Sequence, residues 1–352
     1  MNQIPLSEVI GSMLVVGVTG KYPSDEGVQR INKSLSKNEI GGIILFGHNI
    51  ESASQLTELN QSFLETRKNA LIMVDQEGGR VQRLHPHKGF IGTKSALSLA
   101  QECSPEDAKQ VYKKMAKELS ENGVNVNLAP NVDLHDPESS CIGKLERSFS
   151  SAPLGVVKYG AEFIKAHHEE GVLTSIKHFP GHGLAKEDTH LGMVDVTDCA
   201  KEDELVPYYE LIKEGNVDSI MVAHIINRKL DEKHPASLSP VIVKKLLREK
   251  GDNGVVMTDD LFMGAITEHF TFEESIVKAI IAGIDMLLLC KDEIALDKND
   301  PTNKKYVVTA ATEVIEKAIQ EERISATMLY ESYQRIMKLK MKREEFLNQK
   351  KN

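Results

Sequence analysis

Eight short runs of Val, Ile, Leu and Met, with stretches of helical periodicity between them, leave this chain few architectures to fold into. The runs are Met13–Val18, Gly42–Phe46, Leu71–Val74, Val124–Leu128, Val172–Ile176, Ser219–Val222, Gly254–Met257 and Met286–Leu289. They are mostly not alternating, as expected of strands buried on both faces. Between them lie amphipathic stretches such as Asp107–Asn122, Leu154–Glu170, Ser239–Lys250 and Phe272–Ala282. Such alternation predicts βα units around a parallel sheet. Eight units in 352 residues predict an α/β fold of the (β/α)8 barrel type. A doubly wound open sheet is the alternative, but no GxGxxG follows the first run. The charged segment Lys291–Lys305 reads as a loop, and the helical region Val307–Lys350 ends in a solvated Lys/Glu/Gln tail. With no internal repeat and no low-complexity linker, residues 1–352 read as a single domain. The barrel is expected over about 8–325 and a helical C-terminal extension over about 326–352.

In such barrels the chemistry sits where strands end, and polar residues gather there. The third run leads into Asp75-Gln76-Glu77-Gly78-Gly79-Arg80-Val81-Gln82-Arg83, a carboxylate, a flexible turn and two arginines suited to gripping hydroxyl groups. The fourth ends in Asn127-Leu-Ala-Pro-Asn131-Val-Asp133, and a loop then carries Glu146-Arg147-Ser148-Phe149. The fifth feeds IKHFPGHGLAKEDTH, which packs Lys177, His178, His182, Asp188 and His190 into fifteen positions. The sixth places His224 just beyond it, and the seventh ends in Thr258-Asp259-Asp260.

Taken singly, these residues have bland readings. Asp75 or Asp133 alone would more often cap a helix or pair in a loop. His178 could be a satisfied, half-buried histidine, and His167-His168 reads as surface. Phe272-Glu273-Glu274 reads as a solvated helix start favoured by the helix dipole. Recurrence at five successive strand ends outweighs these readings, because random placement would scatter polar groups over both ends of the barrel.

Composition narrows the partners. The net charge of −9 argues against nucleic acid. A 5% aromatic content without Trp argues against an extracellular carbohydrate-binding module. Cys103, Cys141, Cys199 and Cys290 lie far apart with no CxxC pair, so neither a zinc site nor a disulfide framework is expected. The start, MNQIPLSEVI, lacks a basic n-region and an apolar segment, and no run reaches transmembrane length. A cytoplasmic monomer that needs no cofactor and binds no membrane is the expectation.

Asp259 closes an apolar strand, where a carboxylate is costly unless bonded or used. Held in a sugar-sized pocket it can attack an anomeric carbon and form a glycosyl-enzyme. The Asp188-x-His190 pair can orient and tune an imidazole as proton donor and acceptor. Asp75, Arg83, Arg147, Lys177 and His178 would hold the hydroxyls of the rest of the sugar. Three other readings use the same residues. One is a metal-dependent hydrolase with His178, His182, His190 and Asp259 as ligands, against which Lys177 would set a cation beside the ion. Another is a non-catalytic sugar-binding protein, and the third is a phosphorylase in which phosphate replaces water.

KHFPGHG at 177–183 followed by Asp188-Thr189-His190 resembles the signature of glycoside hydrolase family 3 β-N-acetylglucosaminidases. DQEGGRVQRL (75–84), ERSF (146–149), PASLSP (235–240) and TDDLFMGAI (258–266) resemble its other blocks in the same order. The resemblance implies a TIM-barrel catalytic domain that removes β-linked N-acetylglucosamine from the non-reducing end with retention. It implies Asp259 rather than Asp260 as nucleophile, His190 as acid/base and Asp188 as its partner. It matches Asp75, Arg83, Arg147, Lys177 and His178 to sugar-binding residues, with His224 a lesser contributor. Family β-glucosidases usually carry KHF-x-GN, which this chain lacks. The cytoplasmic members that it resembles act in peptidoglycan recycling, cleaving N-acetylglucosamine from 1,6-anhydro-N-acetylmuramic acid peptides. Lys291–Lys305 and the Lys-rich end match no part of the family pattern.

Overall fold

All eight apolar runs form strands, and the strands join one parallel sheet in chain order. They are β1 (Leu14–Gly17), β2 (Gly42–Ile44), β3 (Leu71–Val74), β4 (Val126–Asn127), β5 (Leu173–Phe179), β6 (Ser219–Val222), β7 (Val255–Thr258) and β8 (Leu287–Leu289). This computed structural model describes residues 4–187, 189, 192–297 and 300–351. β8 pairs with β1 in the register Leu14–Leu287. A parallel bridge between Met257 and Met286 brings β7 to β8, and the Thr258 N–H donates to the Met286 carbonyl at 3.1 Å. The sheet therefore closes on itself as a barrel, and the open-sheet alternative falls. Every barrel-strand residue is buried, which is why the runs read as continuous rather than alternating.

Helices Pro105–Glu121, Pro153–Glu169 and Phe272–Ala282 lie where helical periodicity predicts them. Ser239–Lys250 is less regular than predicted: one wide helical turn over Val241–Lys245 and a 3-10 turn over Arg248–Lys250 replace a continuous helix. Lys291–Lys305 is not a loop but an antiparallel hairpin, β9 (Glu293–Asp297) and β10 (Asp300–Tyr306), in the register Glu293–Tyr306. Its strand character hides in the sequence because charged residues flank its few apolar ones. His167 also departs from expectation, because it is fully buried. Its ring stacks on Phe163, Nδ1–H donates to the Phe163 carbonyl at 2.8 Å, and Nε2 accepts from Asn127 at 3.0 Å. Burial lowers its pKa to about 3, so it stays neutral. His168 reaches Asp218 at 2.7 Å. Among the described residues, no helix is long and apolar enough to cross a membrane.

The C-terminal region forms helices Val307–Gln320 and Ala326–Lys351. The latter packs on the first helix, Leu6–Met13, at the N-terminal end of the barrel. It is pinned there through Asp285, which accepts from Ser332 and Arg335 at 2.8 and 2.9 Å. Lys340 on this helix is buried, and its ammonium reaches the Gly41 carbonyl only at 3.5 Å. Burial, followed by the nearby Arg67, lowers its pKa to about 7. A lysine whose folded pKa lies below its unfolded value costs stability, fully below pH 7 and less as pH rises towards its ordinary 10.5. Lys340→Met should therefore raise stability by roughly 2–4 kcal/mol at pH 6. The gain should shrink towards pH 10; an equal gain at both pH values in urea unfolding would contradict this origin.

Candidate active site

The C-terminal ends of the strands surround a cavity of about 380 Å³, within the range of small-ligand pockets. Asp75, Arg83, Arg147, Lys177, His178 and Asp259 all line it. Residues from four different chain segments thus converge as the strand-end pattern predicts.

The loop after β3 builds one wall. The Gln76 side chain accepts from the Arg83 and Leu84 N–H groups at 2.8 and 3.0 Å, folding the segment back on itself. The reversal needs Gly78 and Gly79, whose φ values are 101° and 60°. A Cβ on Gly78 would also lie 2.5 Å from the Lys94 carbonyl oxygen. The fold-back returns Arg83 to Asp75, where its guanidinium meets Oδ2 at 2.9 Å.

β5 supplies Lys177 and His178 from adjacent positions. Lys177 Nζ bridges Asp75 Oδ1 at 2.6 Å and Glu77 Oε1 at 2.7 Å. Glu77 in turn receives Arg147 bidentately, with both contacts at 2.8 Å. Arg147 also donates to the Cys141 carbonyl at 2.9 Å and to His178 Nε2 at 3.3 Å. Arginine can only donate, so His178 Nε2 accepts and the ring proton sits on Nδ1. That proton goes to Asp133 Oδ2 at 2.7 Å. Asp133 Oδ1 accepts from the backbone N–H groups of His178 and His182 at 3.2 and 2.8 Å. Three carboxylates, three cations and an imidazole thus form one continuous chain.

The chain fixes its own charges. Burial disfavours the Asp75 and Glu77 ions, but Lys177 with Arg83 at Asp75, and Arg147 with Lys177 at Glu77, outweigh it. Asp75 falls well below the ordinary carboxylate range, and Glu77 drops from 4.5 to about 2. A depressed carboxyl contributes stability above its unfolded pKa and loses it as pH falls through the folded one. For Glu77 that window runs from 4.5 down to about 2, with on the order of 3 kcal/mol at stake. Lys177→Met leaves Asp75 and Glu77 buried beside one cation fewer and should cost roughly 3–5 kcal/mol at pH 7. Below pH 4.5 the variant should lose less further stability than the parent in urea unfolding; a parallel acid loss in both proteins would refute the linkage.

Asp259 follows β7 directly and faces the cavity with Thr258 buried behind it. Its N–H donates to the Val222 carbonyl at 3.1 Å, and its Oδ1 accepts from the Asp260 N–H at 2.8 Å. Burial works against ionisation, but His224, His178 and the Asp260 N–H prevail and hold the carboxyl below its ordinary value. Asp260 is engaged otherwise: its Oδ1 accepts from the Phe262 and Cys290 N–H groups, each at 3.1 Å, and burial raises its pKa. His224 does not line the cavity. Its Nε2–H donates to the Asp260 carbonyl at 3.0 Å, and its Nδ1 lies in hydrogen-bond contact with Ser237 Oγ at 2.6 Å. It supports the β7 loop from behind.

From the segment after β5, His182 and Thr189 reach the cavity. Thr189 lines the cavity, and its carbonyl accepts from the Ala265 N–H at 3.3 Å, beyond Asp259 in the chain. His182 contacts Thr189 Oγ1 at 3.4 Å through Nε2 and Cys141 Sγ at 3.4 Å through Nδ1. Burial, then His178, lowers its pKa to about 4. Asp188 and His190 lie outside the described residues.

Residues 6–339 match the model of the glycosyl hydrolase family 3 N-terminal domain. The chain belongs to glycosyl hydrolase family 3. Within this family of glycosidases, it is 38% identical over 258 residues to a beta-hexosaminidase of Tolumonas auensis, covering 72% of this chain and 76% of that protein. It is 33% identical over 335 residues to beta-hexosaminidase A of Pseudoalteromonas piscicida, covering 89% of this chain and 55% of the relative. A solved family 3 beta-N-acetylglucosaminidase from Paenibacillus sp. str. FPU-7 superposes with a TM-score of 0.86 at 30% identity, covering 97% of this chain and 63% of that one. The chain thus spans little more than half the length of the second relative and less than two thirds of the third.

Family membership and geometry together revise the inventory of the site. Asp75, Arg83, Arg147, Lys177, His178 and Asp259 meet at one cavity. Glu77 and Asp133 do not line it but hold Lys177, Arg147 and His178 in place, and the sequence assigns neither of them a catalytic or binding role. Glu77 sits two residues after Asp75, a spacing that would place both on one side of an extended segment. Asp133 gave only the signal of a carboxylate after a strand. The metal reading fits poorly, because His178 and His182 spend their ring nitrogens on protein partners. Among the described residues, no group of three His, Cys, Asp or Glu side chains is arranged to hold an ion.

Proposed function

We propose that the chain is a retaining exo-β-N-acetylglucosaminidase that works through a covalent intermediate on Asp259. The observation that carries this reading is an ionised carboxylate at the end of β7, across the barrel from a preassembled charged grip on β3 and β5. The names of the Tolumonas relative and the Paenibacillus structure support the choice of sugar. Asp75, Arg83, Arg147, Lys177 and His178 bind the hydroxyls of the terminal residue and hold its anomeric carbon near Asp259. His190, oriented by Asp188, protonates the departing oxygen and then deprotonates water. His224 acts through the Asp260 carbonyl rather than on the sugar.

The aglycone in this reading is a 1,6-anhydro-N-acetylmuramic acid peptide, which assigns the enzyme to cytoplasmic peptidoglycan recycling as a monomer. The motif resemblance supports it, as does a second cleft, lined by Arg30, His48, Cys290 and Lys291, that shares Cys290 with the catalytic cavity and offers room for a leaving group. One assay tests the whole reading. The enzyme is incubated with a muropeptide fragment, a chromogenic β-N-acetylglucosaminide and the matching β-glucoside. Release of β-configured N-acetylglucosamine from the first two, seen by NMR before mutarotation, is expected. Faster glucoside cleavage, an α-configured first product or sugar 1-phosphate in phosphate buffer would overturn it.

A further inference from the structure

Beneath the turn that follows β5 lies a carboxyl that neither grips sugar nor lines the cavity. Glu204 belongs to the 3-10 turn Glu202–Leu205 and is 3% exposed. Its side chain fills the space beside Gly181, where φ is 130°. A Cβ on Gly181 would lie 2.5 Å from Glu204 Cβ and 2.9 Å from its Oε1, so the glycine and the glutamate are fitted to each other. Glu204 Oε2 accepts from the Lys201 N–H at 3.3 Å. The N–H groups of Gly183 and Leu184 also act on the carboxyl. Oε1 has no partner of good hydrogen-bond geometry among the described residues. A buried carboxylate oxygen left short of donors is expensive, and it persists where the surrounding structure needs its position.

What surrounds it suggests the purpose. Asp133, which orders His178, acts on Glu204 from the β4 side. Tyr208 and Cys199, on the following and preceding segments, both feel its charge. Above it, the segment Gly181–Leu184 carries His182, whose ring touches Thr189 between the two positions of the acid/base dyad. One side chain thus abuts the root of the segment that leads to Asp188 and His190.

We infer that Glu204 is a positioning residue, a wedge under Gly181–Leu184 that sets where His182 and Thr189 stand at the cavity, in the segment whose sequence carries Asp188 and His190. The inference rests on the acid/base role given to that segment. As an anion Glu204 is repelled by Asp133 and keeps a buried oxygen without a close donor; protonated, it is relieved of the repulsion and of the cost of a buried charge. Burial, then Asp133, raises its pKa to about 7, so the two states exchange in the neutral range. Because the folded surroundings oppose the charge, the loop is held less firmly above pH 7 than below it. His182, Lys201, Tyr208 and Cys199 are the other titratable groups that face or flank the carboxyl. Of these, His182 is shifted well away from neutrality, to about 4.

The test uses the full chain with Glu204→Gln and Glu204→Ala. Chitobiose and 4-nitrophenyl β-N-acetylglucosaminide serve as substrates between pH 5 and 9. In Glu204→Ala, kcat on chitobiose should fall by roughly 30–100-fold, with a smaller loss on the aryl glycoside. KM should stay within about threefold, because the grip on the sugar is untouched. Glu204→Gln keeps the shape and should recover most of the activity while losing any inflection near pH 7. Hydrogen exchange of the peptide spanning residues 181–192 should rise in Glu204→Ala. This readout does not depend on the chemistry, so it separates failure of the wedge from failure of the acid/base assignment, which His190→Ala tests alone. Unchanged exchange in a folded Glu204→Ala protein, or a Glu204→Gln profile that superposes on the parent's, would overturn the inference. Should Glu204→Ala fail to fold, the Glu204→Gln profile decides.

Discussion

Asp259→Asn should abolish turnover while leaving the fold intact, with kcat lowered by roughly 10³-fold or more. Among the described residues the side chain attaches to the scaffold through one hydrogen bond, from the Asp260 N–H at 2.8 Å, which an amide oxygen can also accept. The structural cost is therefore small and the chemical cost large. Asp260→Asn is the control. Its Oδ1 ties the Phe262 and Cys290 N–H groups together, so an amide there keeps the loop closed and should cost less than about tenfold. A 2-deoxy-2-fluoro or 5-fluoro N-acetylglucosamine-type donor should label the peptide that contains both residues, and fragmentation should place the label on Asp259. Label on Asp260, or on neither, would end the nucleophile assignment.

The contrast between these neighbours shows what the sequence can and cannot convey. Strand runs were legible because barrel strands are buried on both faces, so β6 and β7 appear as unbroken apolar segments ending in polar residues. Asp75, Lys177 and Asp259 were legible for the same reason: each follows or closes such a segment. Glu77 was not. Its partners Arg147 and Lys177 are 70 and 100 positions away in the chain, and only closure of the barrel brings them to 2.8 and 2.7 Å. Asp133 and Glu204 share this limitation, because a carboxylate after a strand or on a short turn looks the same whether it orders a histidine, supports a loop or faces water. His167 shows the reverse error. Two adjacent histidines late in a helix suggest a surface, yet His167 lies four residues after Phe163 on the buried face, where a backbone carbonyl and Asn127 satisfy its ring. Periodicity gave the right face; residue polarity gave the wrong one.

His190→Ala should separate substrates by their leaving groups. If the imidazole donates the proton to the departing oxygen, its loss should lower kcat on chitobiose or a muropeptide fragment by roughly 10²–10⁴-fold. An aryl glycoside whose phenolate leaves unassisted should form the intermediate at nearly the parental rate. Water attack then lacks its base, so the glycosyl-enzyme should accumulate and give a burst followed by a slow steady state. Azide, which needs no deprotonation, should restore turnover on the aryl substrate by forming the β-glycosyl azide. Asp188→Asn should cost less, because it removes only the orientation and tuning of the ring. A purely structural role for His190 predicts a different pattern, with equal losses on both substrates, no burst, no azide rescue and a lower melting temperature. The same assay bears on phosphate as acceptor. Phosphate arrives already ionised, so if it is the natural nucleophile it should rescue His190→Ala as azide does, yielding sugar 1-phosphate, whereas a hydrolase should return free N-acetylglucosamine in phosphate and non-phosphate buffers alike.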